Sequence, residues 1–81
     1  MTLFQLKTQT SAIVAGVEDR SEHDAISRRL REIGFVPGEV VKVVGQGLIG
    51  REPLLVQVGF TRFALRRNEA ERVMLREGAA A

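Results

Sequence analysis

Beyond Gly38 the apolar pattern of the chain settles into a period of two, and glycine keeps cutting it into short runs. Val40-Val41-Lys42-Val43-Val44 reads as one strand. Leu54-Leu55-Val56-Gln57-Val58 reads as a second, with Val56 and Val58 on one face, and Gly59 marks a turn or bulge after it. Arg62-Phe63-Ala64-Leu65-Arg66 alternates with Phe63 and Leu65 inward, and Asn68 is placed to cap a one-turn helix at Glu69-Ala70-Glu71. Ser11-Ala12-Ile13-Val14-Ala15-Gly16-Val17 precedes these as a buried strand, and Val73-Met74-Leu75 follows as a closing one. Strands this short cannot cover a core as a flat open sheet with bare edges, so closure into a compact barrel is the natural solution.

One segment carries the other period. Ser21 reads as a helix N-cap, with Asp24 as the acidic half of a capping box. Ile26, Leu30 and Ile33 then form one apolar stripe, with Arg28, Arg29, Arg31 and Glu32 mainly on the other side. Asp24 and Arg28 stand as an i,i+4 pair in the acid-first orientation. Gly34 ends the helix in the left-handed conformation, which makes Phe35 the C″ residue of a Schellman cap and leaves Pro37-Gly38 as a turn. Leu3 and Leu6 suggest one further helical or 3₁₀ turn laid on the core. The expected architecture is mainly β: a small SH3-like barrel of about five short strands, with one α-helix between strands 1 and 2.

Eighty-one residues hold one domain, expected over residues 1–77, with 78–81 a disordered tail. The absence of cysteine excludes disulfides, iron–sulfur clusters and thiolate zinc sites. The N-terminus lacks the basic and apolar regions of a signal peptide, and no apolar run approaches the ~18–20 residues of a membrane span. The expectation is therefore a soluble cytoplasmic chain without membrane insertion. Net charge is only +2, and the sequence pI near 9.9 reflects arginine rather than a large basic excess. With no Trp and no Tyr to stack on bases, composition argues against a single-strand nucleic-acid binder.

Chemistry is sparse. The one histidine, His23, falls at N2 of the expected helix, and no serine has a base and an orienting group in its pattern, so an enzyme is not expected. His23 does lie among Asp19, Glu22 and Asp24. It is either a solvent-facing residue at a helix start that favours acids, or part of a weak divalent site for Zn²⁺ or Fe²⁺ shared between chains through His23, Glu22 and Asp19. Arg28, Arg29 and Arg31 form either a solvated helix face or a docking face for an acidic partner, and Arg66 points outward with the same two readings. Leu48 and Ile49 sit in what reads as a flexible loop bracketed by Gly45, Gly47 and Gly50. They either fold back over an open end of the barrel or form a mobile hydrophobic contact.

Several stretches together carry a resemblance: Leu3-x-x-Leu6, Ala12-Ile13-Val14, Leu30-Arg31-Glu32-Ile33-Gly34-Phe35-Val36-Pro37-Gly38, Val41-Lys42-Val43, Ile49-Gly50 with Pro53, and Phe63-Ala64-Leu65-Arg66 with Glu69-Ala70. In these the chain resembles the bacterial ferrous iron transport protein A family, FeoA, from Leu3 to Leu75. It departs where Thr8-Gln9 replaces the family's Pro-Gly turn, where Leu48 stands in place of a proline, and in an extra residue around Arg51-Glu52. The resemblance implies an SH3-like accessory protein without catalysis, which acts on the cytoplasmic side of the Fe²⁺ transporter FeoB and modulates uptake. Contact with FeoB is then expected through Leu48 and Ile49, with Arg28, Arg29 or Arg66 adding steering. The same barrel type serves as an interaction module in DtxR-type repressors, so a metal-binding sensor or a dimerising module is the alternative.

Overall fold

The computed structural model describes residues 1–76. The tail at 78–81 lies outside them. A 3₁₀ turn at Leu3–Gln5 leads into β1 (Ser11–Val17), α1 (Ala25–Glu32), β2 (Val40–Ile49), β3 (Glu52–Val58), β4 (Thr61–Leu65), a single turn α2 (Arg67–Ala70) and β5 (Val73–Leu75). The fold is mainly β, five antiparallel strands with a helix between the first two, as the period-two runs and the one period-3.6 segment require.

The strands form one strongly bent sheet in the order β4-β3-β2-β1-β5. Its hinge is β1. The first half of β1 pairs with β2 (Ser11 with Lys42, Ile13 with Val40), and the second half pairs with β5 (Val14 with Leu75, Val17 with Val73). The register breaks between Val14 and Gly16, and a bulge there turns the strand from one partner to the other. The arrangement is the expected SH3-like barrel, and among the described residues its hydrogen-bonded ladder does not run all the way round. The ladder ends at β4 on one side and β5 on the other, with α2 as the link between them. The outer edge of β5 is met by a Thr2–Met74 bridge and by the Leu75 N–H donating to the Met1 carbonyl at 2.9 Å.

Inside lie Val14, Val41, Val43, Leu54 and Val56 from the sheet, with Leu3, Leu30 and Phe35 laid over them. Each side chain of this kind contributes about 1.5–3 kcal/mol when fully buried. The helix ends as its sequence demands. The Phe35 N–H donates to the Leu30 carbonyl at 3.0 Å and the Gly34 N–H to the Arg31 carbonyl at 3.2 Å, both bonds of a Schellman motif, with Gly34 at φ +123°.

The helix start differs from the expectation. Its N-cap is Asp24, not Ser21, and Ser21, Glu22 and His23 lie in an exposed turn ahead of it. Asp24 Oδ1 accepts from the Ile26 and Ser27 N–H groups at 3.0 and 3.2 Å. Its Oδ2 accepts from the Arg20 N–H at 2.9 Å and from Arg72 Nε at 2.8 Å. A carboxylate takes four donors there, and a serine hydroxyl could not satisfy them all. The partner of Asp24 is thus Arg72, far along the chain, and not Arg28. α2 likewise begins two residues earlier than expected: Arg66 is its N-cap and Glu69 accepts the Arg66 N–H at 2.7 Å, so Asn68 does not cap it. Among the described residues no helix is long and apolar enough to cross a membrane.

Candidate functional site: the β2–β3 hairpin tip

β2 does not stop at Val44. It continues through Ile49, and β3 starts at Glu52, so the segment expected to be a flexible loop is a long hairpin paired out to Ile49–Glu52. Gly50 and Arg51 form its two-residue turn, with φ of +63° and +60°, the pair of left-handed residues a type I′ turn needs. Gly47 is required by close approach: a Cβ there would stand 1.8 Å from the Glu52 carbonyl oxygen on the facing strand.

Arg51 fixes this arm to the body. Its guanidinium donates to the Phe4 and Leu6 carbonyls and to Gln46 Oε1, each at 2.7 Å. It also lies over the Phe4 ring, 5.4 Å from the centroid, and Arg67 stands over the same ring at 4.9 Å. At the end of this anchored arm Leu48 is 103 % exposed and Ile49 87 % exposed. They do not fold back over the barrel. Neighbours on a strand face opposite sides, and the tip extends past the core, so both faces there meet water.

The arginines are partly gathered. Arg66 follows directly on β4 and is exposed at the same end of the sheet as the tip, because Leu65 pairs with Leu54. Arg29 lines a crease between α1 and β4 with Ile26, Ile33, Phe63, Ala64 and Glu69. Arg28 is exposed on a different flank of α1, one residue and about 100° of helix rotation away. Arg31, read as part of the same face, is engaged instead: it donates to Asp19 Oδ1 at 3.1 Å and to the Val17 carbonyl at 2.7 Å.

The metal constellation is not assembled within one chain. Asp19 accepts from Arg31 and from the Ser27 hydroxyl. The Arg31 hydrogen bond, followed by that of Ser27, holds the Asp19 carboxyl below its ordinary 3.8. His23 sits in the turn before Asp24, not at N2 of the helix. Among the described residues no three His, Asp or Glu side chains come together as a group that could hold a metal ion. One open surface depression, about 360 Å³, lies over Ser11, Gly38 to Lys42, Gln57 and Gly59. Its side chains are not those of a nucleophile with its base.

Two features escaped the sequence. Phe60, in the Gly59-Phe60 turn at the other end of β3, is 106 % exposed. A Gly-Phe pair set between two period-two runs is the signal that would have found it. The anchoring role of Arg51 has no local signal, since its two acceptors on the body are the Phe4 and Leu6 carbonyls, more than forty residues earlier.

Against known proteins, a family model of the FeoA domain matches residues 1–77. The FeoA of Stenotrophomonas maltophilia, solved in complex with zinc, is 57 % identical with a TM-score of 0.93, over 100 % of this chain and 95 % of that one. That protein is described as a prokaryotic SH3-domain protein and a candidate activating factor for bacterial ferrous iron transport. The FeoA protein of Chlorobium tepidum is 33 % identical with a TM-score of 0.79, over 93 % of this chain and 68 % of that one. IdeR of T. acidophilum shares the fold, with a TM-score of 0.73 at 19 % identity, over 93 % of this chain and 32 % of that one. No curated protein matches the chain. The family match over nearly the whole chain and the full-length likeness to a solved member agree with the architecture built above: the chain belongs to the FeoA family, whose members are associated with ferrous iron transport.

Proposed function

We propose that this chain is a cytoplasmic accessory protein of ferrous iron uptake that works by binding, without catalysis, the cytoplasmic portion of the FeoB transporter. The supporting observation is the hairpin tip, where two large aliphatic side chains are exposed on an arm anchored through Arg51. Apolar groups offered to solvent on a fixed element suit burial against another protein. Arg66 at the same end, with Arg28 and Arg29 on α1, steers an acidic partner towards it. A module changes transport only by binding one transporter state better than another, so the contact must discriminate between states. The test is capture of FeoB's cytoplasmic portion by wild type and by the Leu48→Asp, Ile49→Asp double variant. Wild-type capture with loss in the folded variant supports the reading, and equal capture by both removes the tip as the contact.

A second reading has its own support, because the Stenotrophomonas maltophilia relative was solved with zinc. In it His23 and Glu22, both exposed, hold a divalent ion together with Asp19 or with ligands of a second copy. Zn²⁺ titration calorimetry on wild type and His23→Ala decides it. Equal heats from both proteins exclude His23 as a ligand.

A further inference from the structure

The sheet ends on β4, a strand with one neighbour. The β3–β4 register closes through the two-residue Gly59-Phe60 turn, so Val58–Thr61, Val56–Phe63 and Leu54–Leu65 are the pairs that exchange hydrogen bonds. Arg62 and Ala64 alternate with them and direct their N–H and C=O groups away from β3. Both residues are exposed, and among the described residues neither backbone has a partner beyond the sheet ladder. This is the geometry that accepts an added strand.

The side chains along that edge say what kind of strand it suits. Arg62 and Ala64 are exposed, Phe63 is half-buried and Leu65 buried. Arg66 continues the outward row. Among the described residues neither Arg62 nor Arg66 forms an ion pair, and the only side-chain partner of Arg62 is Gln57 at 3.3 Å. On the inner side, Ile26 and Ile33 of α1 lie beside Phe63 in the crease that Arg29 borders. An added strand therefore meets cations on one face and hydrocarbon on the other. A second copy of the same edge would set its own arginines alongside these, and like charges facing each other destabilise a strand pair.

We infer that the outer edge of β4 receives an extended acidic segment of another protein as a sixth strand. Carboxylates lie opposite Arg62 and Arg66, and aliphatic side chains lie against Ile26, Ile33 and Phe63. The matching pattern is acid–aliphatic–any–aliphatic–acid, as in Glu-Val-Ser-Val-Glu. This surface is distinct from the hairpin tip and does not depend on it.

Amide-resolved NMR on the full chain, titrated with a synthetic peptide containing Glu-Val-Ser-Val-Glu, tests the inference, with Lys-Val-Ser-Val-Lys as control. Saturable binding of the acidic peptide alone, with the Arg62 and Ala64 amides shifted and slowed in exchange, is the expected result. Ala64→Pro removes the outward N–H while leaving the β3 ladder intact, and it weakens binding by about tenfold or more. Arg62→Glu with Arg66→Glu reverses the preference to the basic peptide, and it decides the matter if the proline variant fails to fold. Leu48→Asp with Ile49→Asp leaves peptide binding unchanged, which separates this result from the fate of the FeoB reading. No saturable binding, shifts confined to other elements, undiminished binding by a folded Ala64→Pro, or an unreversed preference would each overturn it.

Discussion

Around the start of α1 charge is turned inward, whereas at the β2–β3 turn hydrocarbon is turned outward. Asp24 and Arg72 are both buried, yet the pair is well answered: Asp24 by four donors, Arg72 through Nε by Asp24 and through Nη1 by the Asn68 carbonyl at 2.6 Å. Among the described residues no buried side-chain nitrogen or oxygen lacks a partner. Leu48 and Ile49 are the reverse, apolar groups with nothing covering them. A buried charge whose bonds are all made belongs to the fold, because its needs end inside the molecule. An exposed aliphatic pair on a fixed arm has an unmet gain in free energy, and only another surface supplies it.

The contrast can be broken at its base. Leu54→Ala, at a buried site in the same hairpin, should lower stability by about 2–5 kcal/mol through lost burial and a residual cavity. Denaturant titration reads that loss as a fall in midpoint. Next in size is Gly47→Ala, whose Cβ meets the Glu52 carbonyl oxygen of the facing strand. Forcing the strands apart should cost about 1–3 kcal/mol and broaden the amide signals of 46 to 54 before those of β1.

The charged region responds to acid. The Arg20 N–H and then the Arg72 guanidinium hold the Asp24 carboxyl well below its ordinary 3.8. A carboxyl lowered on folding stabilises fully above its unfolded value, and that contribution drains away as pH falls below 3.8 through the folded value. Thermal unfolding from pH 7 to pH 2 should therefore show a steep acid limb in wild type. Asp24→Asn should melt lower at pH 7 and lose part of that limb. The smallest effect belongs to the tip: Leu48→Asp with Ile49→Asp should change stability by no more than about 0.5 kcal/mol while removing partner capture. A large stability loss there would mean that the pair serves the fold after all.

Much of this was legible in local pattern. The Schellman end at Gly34-Phe35, the Ser11–Val17 strand, the inward Leu65 and the closing Val73–Leu75 all rest on neighbours within a few residues. What stayed hidden depends on partners far away in the chain. The N-cap falls at Asp24 rather than Ser21 because one carboxylate oxygen caps the helix while the other takes the Arg20 N–H and Arg72, a partner forty-eight residues away that local pattern does not show. Three glycines at 45, 47 and 50 imply a free loop, while Arg51 and the carbonyls of Phe4 and Leu6 take that freedom away. In the candidate site the residues were identifiable as exposed types. Their grouping, with Arg66 at the tip's end of the sheet, needed the register of β3 and β4.

The two-partner strand β1 also bears on how quickly the molecule assembles. It must find β2 just downstream and β5 from the far end of the polypeptide, and pairings so remote in sequence are slow to nucleate. The β1–β5 seam is then a late event on the way to the native state. Substitutions along it should hasten unwinding far more than they delay collapse.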